Sequence, residues 1–136
     1  MNEMLLKYKN LIAMISEQDE DYQKNILLDS IDGIYIPKNI EECFLELNKL
    51  LSEEEIKQFK ELKSKDETFN YHFGLGMWIR NNWGLWGGSR IQLYMKDRMD
   101  RFIVEPDDMS GMILEFYWEW LNGKNKNWKK FDKKKK

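Results

Sequence analysis

From the N-terminus, apolar side chains first recur at Leu5, Tyr8, Leu11, Ile12 and Ile15, spacings that place them on one side of a helix over 3–15. That helix is expected to lay its apolar stripe on the body of the protein. Residues 16–29 are mostly charged or amide-bearing, with a short apolar cluster at Ile26–Leu28, and predict either a weak helix or a connection. Gly33 and Pro37 then interrupt the pattern, and Pro37 biases Ile36 toward extended backbone, so IDGIYIPKN reads as a loop or extended arm. Asn39 caps the clearest early helix, in which Ile40, Cys43, Phe44, Leu47 and Leu51 recur at helical spacing. Ser52 and Glu55 form the S-x-x-E pattern of a capping box, and Ile56 and Phe59 carry the next helix to about Leu62.

Beyond a solvated connector at 64–67, with Asp66 or Thr68 as cap, the pattern predicts a helix over 69–82 despite Gly74 and Gly76. Each glycine costs up to about 1 kcal/mol relative to alanine inside a helix. NNWGLWGGS predicts a tight loop, and Ser89 caps a helix to about Arg101. Pro106 and Asp107 open the last long helix, whose stripe of Met109, Met112, Ile113, Phe116 and Trp120 ends at Asn122-Gly123. The expected fold is all-α: a compact single-domain orthogonal bundle of about five to six helices, with a glycine- and tryptophan-rich helix–loop at its centre. Residues 1–33 read as an N-terminal helical extension, 34–123 as the domain proper and 124–136 as a flexible lysine-rich tail.

Composition narrows this picture. The chain has 136 residues, 42% hydrophobic and 34% charged, enough apolar matter for one core and too much for wholesale disorder. Cys43 is the only cysteine and lies on an apolar stripe, so it reads as a buried small hydrophobe in a reducing compartment rather than a reactive thiol. Lys7 and Lys9 break the first apolar stretch, which lacks the pattern of a secretory signal. No apolar run approaches the roughly 20 residues of a bilayer-spanning helix, so a soluble cytoplasmic protein is expected.

The net charge of −2 hides an asymmetry. The last thirteen residues carry +7, leaving −9 on residues 1–123. Within that acidic body only 69–104 is positive, and it holds all four arginines, Arg80, Arg90, Arg98 and Arg101. Arginine suits forked recognition of carboxylate or phosphate. Two readings follow: the arginines bridge to acidic helices of the same chain, or they build an anion site. The lysine tail could touch nucleic acid or anionic lipid, but the acidic body opposes both.

The segment FNYHFGLGMWIRNNWGLWGGSR holds three of six tryptophans, the only histidine, five of eight glycines and two arginines. On a helix, His72, Gly76, Arg80 and Trp83 fall near one line. Gly76 would then leave a slot between two polar arms, joined by Asn81, Asn82, Trp86, Ser89 and Arg90 from the adjoining loop. Such a set could bind a small anion, a nucleotide or a peptide carboxylate, with His72 the weak candidate for an acid or base. The plainer reading is that the glycines permit close packing, the tryptophans fill the core and His72 bonds to a backbone carbonyl. Gly74-Leu75-Gly76 is neither a dinucleotide fingerprint nor a phosphate loop, and Ser89 and Ser110 sit in no nucleophile elbow. One histidine and one cysteine build no zinc site, and no cofactor is indicated.

Through HFGLGMWIRNNWGLWGGSR, EPDDMSGMILEFYWEWLNG and IPKNIEECFLELNKLLSEEE, the chain resembles a family of small bacterial domains of unknown function, over about Ile34 to Lys124. The resemblance implies a bacterial cytoplasmic setting and a helical domain, but no reaction. The family's motif maps onto His72, Gly74, Gly76, Trp78, Arg80, Asn81, Asn82, Trp83, Trp86, Ser89, Arg90 and Pro106-Asp107-Asp108-Met109.

Three functions compete. The first is a binding domain whose acidic body attracts a basic protein partner, since complementary fields speed association. The second is an enzyme or sensor holding a small anionic molecule through Arg80 and Arg90. The third is a helical scaffold whose glycine block merely packs.

Overall fold

The computed structural model describes residues 2–101, 103–124 and 126–134. Helix α1 spans Glu3–Asn25, capped by Asn2, whose side chain accepts from the Leu5 amide. A two-residue hairpin follows, β1 (Ser30–Ile31) against β2 (Ile34–Tyr35), with Ser30 opposite Tyr35 and Ile31 opposite Ile34. Asp32 and Gly33 make its turn at φ 52° and 80°, the left-handed pair that matches the twist of antiparallel strands. This hairpin stands where the sequence predicts a loop or extended arm.

Helix α2 (Ile40–Leu50) begins at Asn39, and α3 (Glu53–Lys60) at the capping box of Ser52 and Glu55, both as expected. The stretch expected as one helix over 69–82 has three parts: a 3-10 helix Lys65–Tyr71, a π-turn His72–Gly76 and α4 (Met77–Asn82). Gly74 and Gly76 both lie in the π-turn, where the backbone widens by one residue. Helix α5 (Arg90–Arg98) starts at Ser89 and stops short of the expected Arg101. Helix α6 (Pro106–Asn122) ends at Gly123, as the sequence predicts, and α7 (Asn127–Lys133) completes seven α-helices among the described residues.

Helix α6 is the axis of the bundle. It packs against α2 to α5, α7, the 3-10 helix and the π-turn, and its inner stripe of Met109, Ile113 and Tyr117 is buried. Phe44 of α2 stacks on Tyr117 and Trp120, with centroids 6.1 and 5.2 Å away. Tyr117 donates to Asn48 at 2.7 Å, and burial pushes its hydroxyl up to about 12. Cys43 is fully enclosed in the same core, and burial pushes its thiol well up, in keeping with a packing role.

Two expectations are corrected. Helix α1 runs ten residues further than 3–15, and its stripe does not dock on the body: Leu5, Tyr8, Leu11, Ile12 and Ile15 are each more than half exposed. Its body contact begins at Tyr22, which donates to Gln92 of α5. The segment expected as a flexible tail forms α7, which buries Phe131 against Phe116 and Tyr94 and engages Asp132 through the Tyr94 hydroxyl at 2.6 Å. The charge run concealed two apolar anchors, Phe131 and Trp128, the second meeting Phe44 edge-on at 5.6 Å. Asn125, Lys135 and Lys136 of that tail lie outside the described residues.

Candidate functional site

The π-turn carries His72 at its first position and Gly76 at its last, and α4 begins directly after it. One turn further on, Arg80 folds its guanidinium back over Gly76, where a side chain would stand 3.1 Å from Nη1 and 3.3 Å from the Tyr71 carbonyl. The slot foreseen between His72 and Arg80 exists, and the arginine itself occupies it. Arg80 is only 4% exposed. Its Nη1 donates to Ser110 Oγ at 2.9 Å, its Nη2 to the His72 carbonyl at 3.1 Å, and its Nε lies 3.2 Å from Asp107 Oδ1. A buried guanidinium needs this full set of partners, and α6 supplies two of them. Of the two arginine readings, the bridge to an acidic helix describes Arg80.

His72 Nδ1 lies 3.4 Å from Arg80 Nη1. A guanidinium only donates, so Nδ1 can take part in this contact only as an acceptor, and Nε2 lies 3.9 Å from Asp107 Oδ2. Phe69 stacks on the imidazole at 5.2 Å and 15°, and Phe73 meets it edge-on at 5.0 Å. The walls around His72 are therefore phenyl rings rather than the indoles the sequence suggests. Ser110 is fully buried and bonded to Arg80 and to the Asp107 carbonyl, so His72, Asp107 and Ser110 lie close together without an accessible nucleophile.

The remaining predicted residues divide: Asn81, Asn82 and Trp86 line one cavity together with Arg80, and Trp83, Ser89 and Arg90 do not join it. Trp83 is a core side chain, edge-on to Trp78, and Ser89 is buried, donating to the Trp83 carbonyl at 2.7 Å while capping α5. Asn82 bonds back to the Trp78 carbonyl. Asn81 accepts from Trp86 Nε1 at 3.1 Å, and the Trp86 ring is 64% exposed beside a cavity of about 340 Å³ shared with the hairpin turn. Arg90 is not beside Arg80 in a common site: its Nε donates to the Ile36 carbonyl and its guanidinium lies over the Tyr35 ring.

The recess at His72 has a different chemistry from the one foreseen. Two adjoining cavities, about 490 and 220 Å³, meet along Phe69, His72, Gly111 and Glu115. Asp66, Asp107 and Asp108 complete an acidic wall, against which stands Arg101, paired with Asp108 at 3.1 Å. Neither Asp66 nor Glu115 has an ion-pair partner within 4.0 Å among the described residues. Burial raises the Glu115 carboxyl above its ordinary range, Asp66 and Glu119 add to the shift, and Lys65 opposes it. Gly111 lies mid-helix in α6, and a Cβ there would meet nothing within 4 Å. Asp108, Gly111, Met112 and Glu115 follow the three- and four-residue spacing of a second, outward stripe. The inner stripe dominates the sequence pattern and hides this one, although a glycine in the middle of an apolar-striped helix is a readable signal.

Among the described residues no group of three His, Cys, Asp or Glu side chains is placed to hold a metal ion, and no helix is long and apolar enough to cross a membrane. No curated protein and no solved structure matches the chain. A family model described as a domain of unknown function, DUF6794, matches residues 36–121, from the core residue Ile36 to the last turn of α6. It leaves α1 and α7 outside and takes in every residue of the His72 recess, and on that match the chain belongs to the DUF6794 family.

Proposed function

We propose that this domain is a binding module that takes a lysine or arginine side chain of a basic protein partner into the groove between α6 and the 3-10 helix. The observation that carries the reading is Gly111: a glycine costs up to about 1 kcal/mol inside a helix, yet here no neighbour requires its small size. Its effect is to keep the floor of the acidic groove open. Phe69, 68% exposed, offers a ring face for a cation, while Asp66 and Glu115 offer carboxylates with no ion pair within 4.0 Å among the described residues. The acidic wall of Asp66, Asp107, Asp108 and Glu115 would draw such a side chain in. An anion finds little here, because the Arg80 guanidinium is already spent on Asp107, Ser110 and His72.

The test is titration of the full chain with an arginine-rich peptide and with a glutamate-rich peptide of equal length, followed by amide chemical shifts. The basic peptide is expected to shift Phe69, Gly111 and Glu115, with affinity falling steeply with salt. Glu115→Gln together with Asp66→Asn should weaken binding at least about tenfold, as should Gly111→Leu, which fills the floor. Shifts confined to other surfaces, or a preference for the acidic peptide, would overturn the reading.

A further inference from the structure

Helix α1 leaves the body at Tyr22 and projects about 28 Å of helix, at 1.5 Å per residue, beyond that contact. Met4, Leu5, Tyr8, Leu11, Ile12 and Ile15 lie along one side of this projection, all more than half exposed. Leu5, Tyr8, Ile12 and Ile15 occupy successive a and d positions of a heptad, with Asp19 at the next a and Tyr22 at the next d. We infer that this face pairs with the same face of a second copy of the chain, the two α1 helices running antiparallel.

Three features select that occupant and that direction. Antiparallel pairing about a two-fold axis sets Leu5 against Ile15 of the second copy and Tyr8 against its Ile12, each contact occurring twice, so four consecutive layers are apolar. The patch is therefore complementary to itself, as a closed symmetric dimer requires. Parallel pairing in the same heptad would instead place Asp19 against Asp19 in the seam, and would bring together two Tyr22 rings already seated on Gly88. Charge bears on direction through one cluster: Asp19, Glu20 and Asp21 crowd a single turn late in α1, while its first half mixes Glu3 with Lys7 and Lys9. Parallel helices superimpose the two acidic turns, whereas antiparallel helices place them at opposite ends and oppose the helix dipoles. Two heptads make a short seam, so the association is weak and depends on concentration.

Sedimentation of the full chain over a concentration series is expected to show a reversible monomer–dimer equilibrium. Ile12→Lys should abolish it while leaving the melting temperature of the body unchanged, because Ile12 is 59% exposed and stands outside the core. Direction is read by cysteine pairing, which the enclosed Cys43 does not disturb. Under oxidation, an equimolar mixture of Tyr8→Cys and Ile12→Cys chains should yield a disulfide-linked dimer, and each variant alone should not. A chain that stays monomeric up to about 1 mM, the weak limit of specific association, overturns the proposal. So does cross-linking of either variant alone, which signals parallel helices. A dimer without the mixed disulfide overturns it in favour of α1 lying in the apolar groove by Leu75 and Trp78 of the second copy.

Discussion

Tyr22 lays its ring against Gly88 so closely that any side chain at position 88 would overlap it. Gly88 also holds φ at 105°, a conformation that L residues avoid. The tyrosine hydroxyl then reaches Gln92 at 2.9 Å, so one residue ties the projecting helix to both the glycine loop and α5. Gly88→Ala is expected to destabilise the protein by about 2 kcal/mol, from backbone strain and displacement of the ring. In a Tyr22→Ala background only the strain remains and the cost should shrink. A double-mutant cycle by thermal melting measures the difference, and strict additivity would show that the two residues do not meet.

Arg80 is a bridge between the π-turn and α6. Arg80→Ala should cost about 3 kcal/mol, since hydrogen bonds from a charged donor to Ser110 and to the His72 carbonyl are lost together. Asp107 adds little, because its side chain is 54% exposed and rehydrates. Arg80→Lys should recover less than half, as an ammonium cannot match the forked geometry of three partners. Denaturant melts of the three proteins decide the matter. An unchanged midpoint in the alanine variant would restore Arg80 as an arm available to a ligand.

Glu115 sets a pH dependence whose sign follows from its raised pKa. The folded state holds the proton more tightly than the unfolded chain, so ionisation opposes folding. The penalty is complete above the folded pKa and disappears as pH falls below the ordinary carboxylate value. Glu115→Gln should therefore stabilise the protein at neutral pH, with the gain fading as the solution is acidified through that window. Melting curves of both proteins across the acid range would reveal it, and a gain that grew on acidification would contradict the burial that causes the shift.

Helix α7 is anchored by the buried Phe131 ring, with Trp128 meeting Phe44 edge-on beside it. Phe131→Ala should cost about 3 kcal/mol, because it removes the contacts with Phe116 and Tyr94, and should expose Lys129 and Lys130 to faster tryptic cleavage. The amide chemical shifts of Tyr94 and Asp132 provide a local readout, since the Tyr94 hydroxyl is bonded to Asp132 and its pKa is pushed up by burial and that carboxylate. Unchanged stability and cleavage would return the segment to a solvated tail.

The sequence by itself determined the elements whose signals are local. Asn39, Ser52 and Ser89 each cap the helix they were expected to cap, and Pro106 and Gly123 bound α6, because caps and breakers act on backbone groups within a few residues. It also put His72, Gly76 and Arg80 together, since a helical repeat brings residues four apart onto one face whatever else the chain does. Only the tertiary structure decided what that cluster meets. Asp107 and Ser110 lie about thirty residues away on α6, and their approach closes the arginine's hydrogen bonds inside the protein, which decides at Arg80 between the two readings the sequence leaves open, a bridge or an anion site. The same holds at the termini: a stripe of apolar residues shows that a helix has a face to cover, but the covering surface belongs to distant chain. Periodicity alone therefore could not tell that Phe131 finds a core and that Leu5, Tyr8, Ile12 and Ile15 do not.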